Sequence, residues 1–344
     1  MADVSVSQLL LYPIKSCRGF QVETAKVTRY GFEFDRLWML IDTNKGTFLT
    51  QREIPKMVLI VPELIKHGEE YKHGGSLKIT LLGAPGSVEV SFRSSFDGVP
   101  TRKSKVWDHD VECIDEGDEA AAFLTNFLKF NVRLVLKDPR SRRPLSPKTV
   151  PNDSAFAHPP QTAFADGFPF LFVSQATLDD VNERLITKGA KGIDVMNFRP
   201  NVVLRGLQAY AEDELKVIKI TGQTLYVTSR CPRCQIPTND TMKGELTHVE
   251  VSKTIQSYRR VDAGEKYSAC IGMNVCHADH GYYISIGDRV SVVETTKEHD
   301  RRGREVNPLF WQSVEKRPLD WATISISILV VAASAFVGWS ILRK

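Results

Sequence analysis

The stretch SRCPRCQIPTND, residues 229–240, places two cysteines two positions apart, each preceded by an arginine. A C-x-x-C pair has several chemical readings. It can be half of a zinc site completed by Cys270 and Cys276, with His277 or His280 in reserve. It can be a redox dithiol, although the pair follows the strand-like TLYVT and precedes Pro237, not a βαβ helix. The two sulfurs can be buried and structural. Or one exposed thiolate, Cys234, can bind a metal brought in by a cofactor, with Arg230 and Arg233 lowering its pKa and neutralising an anionic group.

The rest of the chain narrows the choice. At 344 residues it is long enough for two domains. A net charge of +4 is too weak for a large phosphate-binding surface, so no nucleic-acid partner is expected. Six cysteines over this length do not make a disulfide scaffold, and free thiols fit a reducing compartment. There is no G-x-x-x-x-G-K-[ST] loop, no G-x-G-x-x-G, no G-x-S-x-G and no H-E-x-x-H, which removes support for nucleotide-cofactor, serine-hydrolase and zincin readings.

Short β-branched runs dominate the first part: SVSQLLLYPI, WMLIDT, MVLIVPEL, SLKITLL and SVEVSF. Their spacing suggests a small β-barrel or sandwich. DEAAAFLTNFLKF predicts a helix capped by Asp118. The proline- and arginine-rich 141–162 segment reads as a solvated linker. Beyond it, SQATLDDVNERL predicts a helix capped by Ser174, with Leu178, Val181, Leu185 and Ile186 on one face, and PNVVLRG, LKVIKI, TLYVT and DRVSVVE predict strands.

The opening MADVSVSQLLLYPIKS has no basic region followed by a long apolar run, so no secretory signal is expected. The end differs. Ala322 to Leu342 carries no charge, and that many helical residues span about 32 Å, enough for a bilayer core. Trp321 and Trp339 lie near its ends. The expectation is a tail anchor with cytosolic domains.

Other segments offer ligands to an anion: Lys15 and Ser16 in YPIKSCRGF, Arg36 in FDRLWMLID, and Arg199 and Asn201 in NFRPNVVL. Together with FADGFPFLFVSQATLDDVN, RCPRCQIPTND and TIQSYRRVDAGEKYSACIGMN, and in this order, they resemble the MOSC-domain proteins of the mitochondrial amidoxime-reducing component type. The resemblance runs from about Val4 to Val293. It implies a β-rich α+β fold: an N-terminal-like β-barrel domain (1–140), a linker (141–162) and a MOSC β-barrel domain (163–298), to which the chain's own apolar tail adds a tether (299–320) and a transmembrane helix (321–342). It implies a molybdenum cofactor (Mo-molybdopterin), with Cys234 as metal ligand and catalytic residue. By position Lys15, Ser16, Arg36, Arg199, Asn201 and Arg233 would contact the cofactor. Gly167 and Phe168 stand where the family carries hydroxyl residues, so their backbone groups would substitute, and Asn274 falls where a tyrosine is expected.

The implied activity is reduction of N-hydroxylated compounds such as amidoximes, hydroxylamines and N-oxides. Electrons would come from NADH through cytochrome b5 reductase and cytochrome b5, at the outer mitochondrial membrane, with endoplasmic reticulum or peroxisome as alternatives. A non-enzymatic cofactor carrier and a zinc-stabilised membrane adaptor are the competing readings.

Overall fold

The computed structural model describes residues 3–66, 74–151 and 155–299. The expected transmembrane helix at 321–342 and the tether beyond residue 299 lie outside them. Among the described residues no helix is long and apolar enough to cross a membrane.

The first half runs β1 (Ser5–Leu11), β2 (Phe20–Val22), β3 (Thr24–Thr28), β4 (Gly31–Phe32), β5 (Trp38–Asp42), β6 (Ile60–Lys66), β7 (Gly75–Leu81), β8 (Ala84–Ser91), β9 (Arg102–Val106), β10 (His109–Asp115), α1 (Asp118–Leu128) and β11 (Val132–Lys137). The second half runs β12 (Phe170–Ser174), α2 (Gln175–Thr187), β13 (Val202–Arg205), β14 (Leu215–Ile220), β15 (Gln223–Pro232), α3 (Val249–Tyr258), β16 (Cys270–His277), β17 (Tyr283–Ser285) and β18 (Val290–Thr295).

The two halves share strands. The largest sheet has the order β18-β14-β15-β16-β12-β13-β1-β2, so the first strands of the chain pair with the second half. Ser5 also bridges to Arg289, and the Val290 amide donates to the Val4 carbonyl at 2.8 Å, which brings the curled sheet round on itself. A separate sheet, β17-β3-β4, covers this core. β1 shows why its sequence is almost continuously apolar. Leu9 and Leu11 enter the core inside the sheet, while Leu10 and Tyr12 enter the layer formed with α2 and α3 outside it. Each fully buried leucine contributes about 1.5–3 kcal/mol.

The remaining strands of the first half form two sheets, β5-β11-β10-β9 and β6-β7-β8, packed with α1 around a second core. Pro62 sits in β6, an edge strand, where its missing N–H costs no ladder bond. MVLIVPEL is only partly strand: Pro55 opens a short 3-10 turn through Leu59 before β6 begins.

Two helices, α1 and α2, carry an expected cap. Ser174 caps α2, its side chain accepting from the Thr177 amide at 3.1 Å. In α1 the cap is Gly117 at φ +98°, and Asp118 lies one residue inside the first turn, where its charge still complements the helix dipole. Ile186 does not share the buried face of α2. It is 64% exposed, because it lies about 100° around the helix from Leu185.

The 141–162 segment is not a solvated linker. Leu145, Val150 and Phe156 are buried with Cys276, the Leu145 amide donates to the Pro160 carbonyl at 2.9 Å, and Arg143 is buried.

Candidate functional site

The site grows from two chain reversals stitched together by backbone bonds. After β1, residues 12–18 turn across the approach to β5. The Arg36 amide donates to the Tyr12 carbonyl at 2.9 Å, and the Lys15 amide donates to the Trp38 carbonyl at 2.7 Å. Three of the expected site residues sit in the left-handed region: Ser16 at φ +64°, Arg36 at +47° and Arg199 at +57°. Each costs about 1–2 kcal/mol for a residue with a Cβ, and such strain persists where surrounding contacts over-determine it.

Those contacts are visible. The Tyr12 ring takes the Arg36 and Arg199 guanidinium carbons at 4.3 Å each. Arg36 donates through Nη1 to both Asp35 carboxylate oxygens, at 2.7 and 2.6 Å, and through Nη2 to the Arg199 carbonyl at 3.0 Å. Arg199 donates through Nη1 to the Cys17 carbonyl at 2.7 Å. Arg233 donates through Nη2 to the Phe198 carbonyl at 2.7 Å, which brings the cysteine segment against the same corner. Burial, with Arg36 adding repulsion, lowers the Arg199 pKa to about 10, so it stays a cation at neutral pH. Arg199 Nη2, Arg233 Nε and the Tyr12 hydroxyl are buried with no hydrogen-bond partner among the described residues. Unpaired buried donors beside fixed cations suit an anionic ligand.

A second cluster surrounds Asp166. The Lys15 ammonium, 5% exposed, pairs with Asp166 and donates to the Phe164 carbonyl at 2.8 Å. Arg52 Nη2 pairs with the other carboxylate oxygen at 3.0 Å. Burial lowers the Lys15 pKa to about 8 against the pull of Asp166. Burial opposes ionisation of Asp166, but Lys15 and Arg52 outweigh it and hold the carboxyl far below the usual range. Arg52 also lies beside the Cys234 thiol. Burial disfavours its charge, but Asp166 and Cys234 hold its pKa above the ordinary value. The Gln235 side chain donates to the Arg52 carbonyl at 2.8 Å, fastening the cysteine loop to the first half.

The six cysteines separate by environment. Cys17, Cys113, Cys270 and Cys276 are buried, whereas Cys231 and Cys234 are half-buried. Burial pushes the Cys17 thiol up to about 12 and the Cys113 thiol up to about 11, so both are inert at neutral pH. Cys270 and Cys276 lie in β16, and no three His, Cys, Asp or Glu side chains converge as metal ligands among the described residues. The zinc reading therefore falls: its second cysteine pair is a central strand, not a knuckle.

The expected arginine neighbours of Cys234 are also redistributed. Arg233 donates to Cys231 Sγ at 3.2 Å, and Arg230 pairs with Asp213 at 3.2 Å. The cation beside Cys234 is Arg52.

Residues 3–131 match the MOSC N-terminal beta barrel domain, and residues 159–291 match the MOSC domain. Mitochondrial amidoxime-reducing component 1 of Mus musculus is 32% identical over 271 residues, covering 76% of this chain and 73% of the relative. The Homo sapiens protein of the same name is 32% identical, covering 76% and 74%, and mitochondrial amidoxime reducing component 2 of Bos taurus is 31% identical, with the same coverage. The chain belongs to the amidoxime-reducing component family of MOSC proteins.

Within this family member the remaining expected residues are placed as follows. Asn201 is buried and bridges two strands: its Nδ2 donates to the Leu10 carbonyl and its Oδ1 accepts from the Leu171 amide, both at 3.3 Å. Its amide is thus engaged by backbone. Gly167 is exposed next to Asp166, and a Cβ there would meet nothing within 4 Å. The Phe168 ring packs with Leu145, Val150 and Phe156, which leaves only its backbone for a ligand. Asn274 donates to Ser229 Oγ at 3.1 Å across β15 and β16.

Sequence reasoning missed Arg52, Asp166 and a buried amide pair. Gln51 donates to the Ser16 carbonyl at 2.7 Å, and Asn239 donates to Gln51 Oε1 at 3.0 Å, joining the Lys15 turn to the cysteine loop. The available signal was the polar run TQRE between two apolar segments.

Proposed function

We propose that this protein is a molybdenum-cofactor-dependent reductase of N-hydroxylated compounds, with Cys234 as the metal ligand. The observation that carries the reading is Cys234 itself: a half-buried thiol, beside Arg52, at the junction of two cationic clusters. The family membership supplies the chemical context.

The residues fit such a group. A soft thiolate suits a high-valent metal already held by sulfur. Lys15, Arg36, Arg199 and Arg233 supply positive charge, and the buried donors on Tyr12, Arg199 and Arg233 can accept an anionic oxygen as partner. Ser16 would present its hydroxyl and Gly167 its backbone. When bound, the cofactor supplies the two-electron redox chemistry that the side chains lack. The chain holds and orients it, keeps Cys234 positioned through the Gln235–Arg52 bond, and offers Lys15 as a charged group whose proton becomes mobile near pH 8.

The overall reaction consumes two electrons and two protons per N–O bond cleaved and releases the amidine or amine and water. We assign the electrons to NADH through cytochrome b5 reductase and cytochrome b5. The apolar 322–342 run is proposed to hold the domains at a membrane; the relatives' names say mitochondrial, and the outer mitochondrial membrane is the membrane proposed. Confinement there raises the effective concentration of a membrane-bound electron donor.

The test is turnover. Purified protein with NADH, reductase, cytochrome b5 and benzamidoxime should yield benzamidine. Protein that carries molybdenum yet yields none would leave the carrier function in place of the reductase.

A further inference from the structure

The turn between β9 and β10 breaks its own chemistry. Val106 pairs with His109, so Trp107 and Asp108 are the two residues of a tight hairpin turn, and Trp107 takes φ +55°. Such a position favours glycine or asparagine. A tryptophan there is strained, and its large ring remains 45% exposed. Local rules are broken in this way where a site needs the side chain.

The ring is also fixed. Its edge meets Phe48 with centroids 5.1 Å apart at 74°, the Arg52 guanidinium lies 5.0 Å from its centroid, and its Nε1 donates to Asp166 Oδ1 at 3.2 Å. Arg52 and Asp166 are the residues that join Cys234 to Lys15. An orientated, half-open indole thus stands at the rim of the candidate site, held by the site's own charges.

We propose that Trp107 is a specificity-determining residue: the apolar wall against which the flat body of an aromatic N-hydroxylated substrate rests. The inference rests on the reductase reading and adds to it a substrate preference, aromatic amidoximes over small aliphatic ones. Ring stacking on a preformed surface contributes binding with little ordering cost.

The experiment compares wild type, Trp107→Asn and Trp107→Phe. Asparagine suits the turn, and phenylalanine keeps a ring. The readout is the ratio of kcat/KM for benzamidoxime to that for acetamidoxime. Trp107→Asn should lower it about 10-fold, the equivalent of about 1.4 kcal/mol, and Trp107→Phe should restore most of it. A ratio unchanged in Trp107→Asn overturns the proposal. Calorimetric binding of benzamidine provides a second reading independent of turnover, with about 10-fold weaker binding expected in Trp107→Asn. If wild type turns over neither substrate but benzamidine binding still depends on Trp107, the reductase reading fails and the wall stands. If benzamidine binds both proteins equally, the wall is overturned.

Discussion

Replacing Asp166 with asparagine isolates the electrostatic logic of the site. The carboxylate is shared by Lys15, 5% exposed, and Arg52, 24% exposed, while its own side chain is 48% exposed. Removing one partner of a fully buried pair costs about 3–5 kcal/mol, and an exposed pair is worth about 0–1. The buried Lys15, the part-exposed Arg52 and the half-open anion place Asp166→Asn between these limits, at about 2 kcal/mol. Lys15 adds a pH signature. With its pKa lowered to about 8 even beside Asp166, it is roughly nine-tenths protonated at pH 7. Without the carboxylate the pKa falls further, and the ammonium can shed its proton to relieve the loss. Thermal unfolding at pH 7 should therefore show Tm lower by about 3 °C, and the deficit should shrink by pH 9, where Lys15 is already largely neutral in the wild type. A variant as stable as wild type at pH 7, or one whose deficit grows with pH, would refute the reasoning.

Two further outcomes follow from the same contacts. The wild type should gain stability as the pH rises from about 8 to 10.5: the unfolded Lys15 keeps its proton there while the folded one has lost it, and this contribution, of order 3 kcal/mol at most, disappears as the pH falls to about 8. Urea unfolding of wild type against Lys15→Met measures it, and an identical pH dependence in the two proteins would contradict the assignment. Ser174→Ala removes the cap of α2 at a fully buried position and should cost about 1 kcal/mol; no change in urea midpoint would mean that the cap bond contributes nothing.

The strands were legible because their signal is local. Alternating or clustered β-branched residues between glycine and proline breaks gave β1, β5, β7, β8, β13, β14, β15 and β18 near their observed positions. β16 carries no strand expectation: its cysteines enter the sequence reading only as the second pair of the zinc alternative, although the same residues, ACIGMNVCH, form the strand between β15 and β12. Cysteine is both a ligand and a small apolar side chain, and the sequence does not distinguish the two uses. The pairing of β1 with β13 is a contact across about 200 residues, set by which faces must be covered and not by any local pattern. The packing of Leu145, Val150 and Phe156 was hidden for a related reason: proline and arginine read as solvated, yet Arg143 donates to the Ala163, Ala165 and Asp166 carbonyls.

At the site, the cations were found but their partners were not. Lys15, Arg36 and Arg199 stood out as charges beside strands, whereas Asp166 and Arg52 become meaningful only once folding sets them between Lys15 and Cys234. The two cysteines of the pair differ in environment. Arg233 donates to Cys231, and Arg52 lies by Cys234, so the two sulfurs are not equivalent.

That inequivalence gives the most direct measurement: the molybdenum content of protein made in a host that synthesises the pterin cofactor. Wild type and Cys231→Ala should each carry about one molybdenum per chain, and Cys234→Ala should carry none while still folding, with a far-UV circular dichroism spectrum like that of wild type. Molybdenum retained by Cys234→Ala and lost from Cys231→Ala would contradict the account.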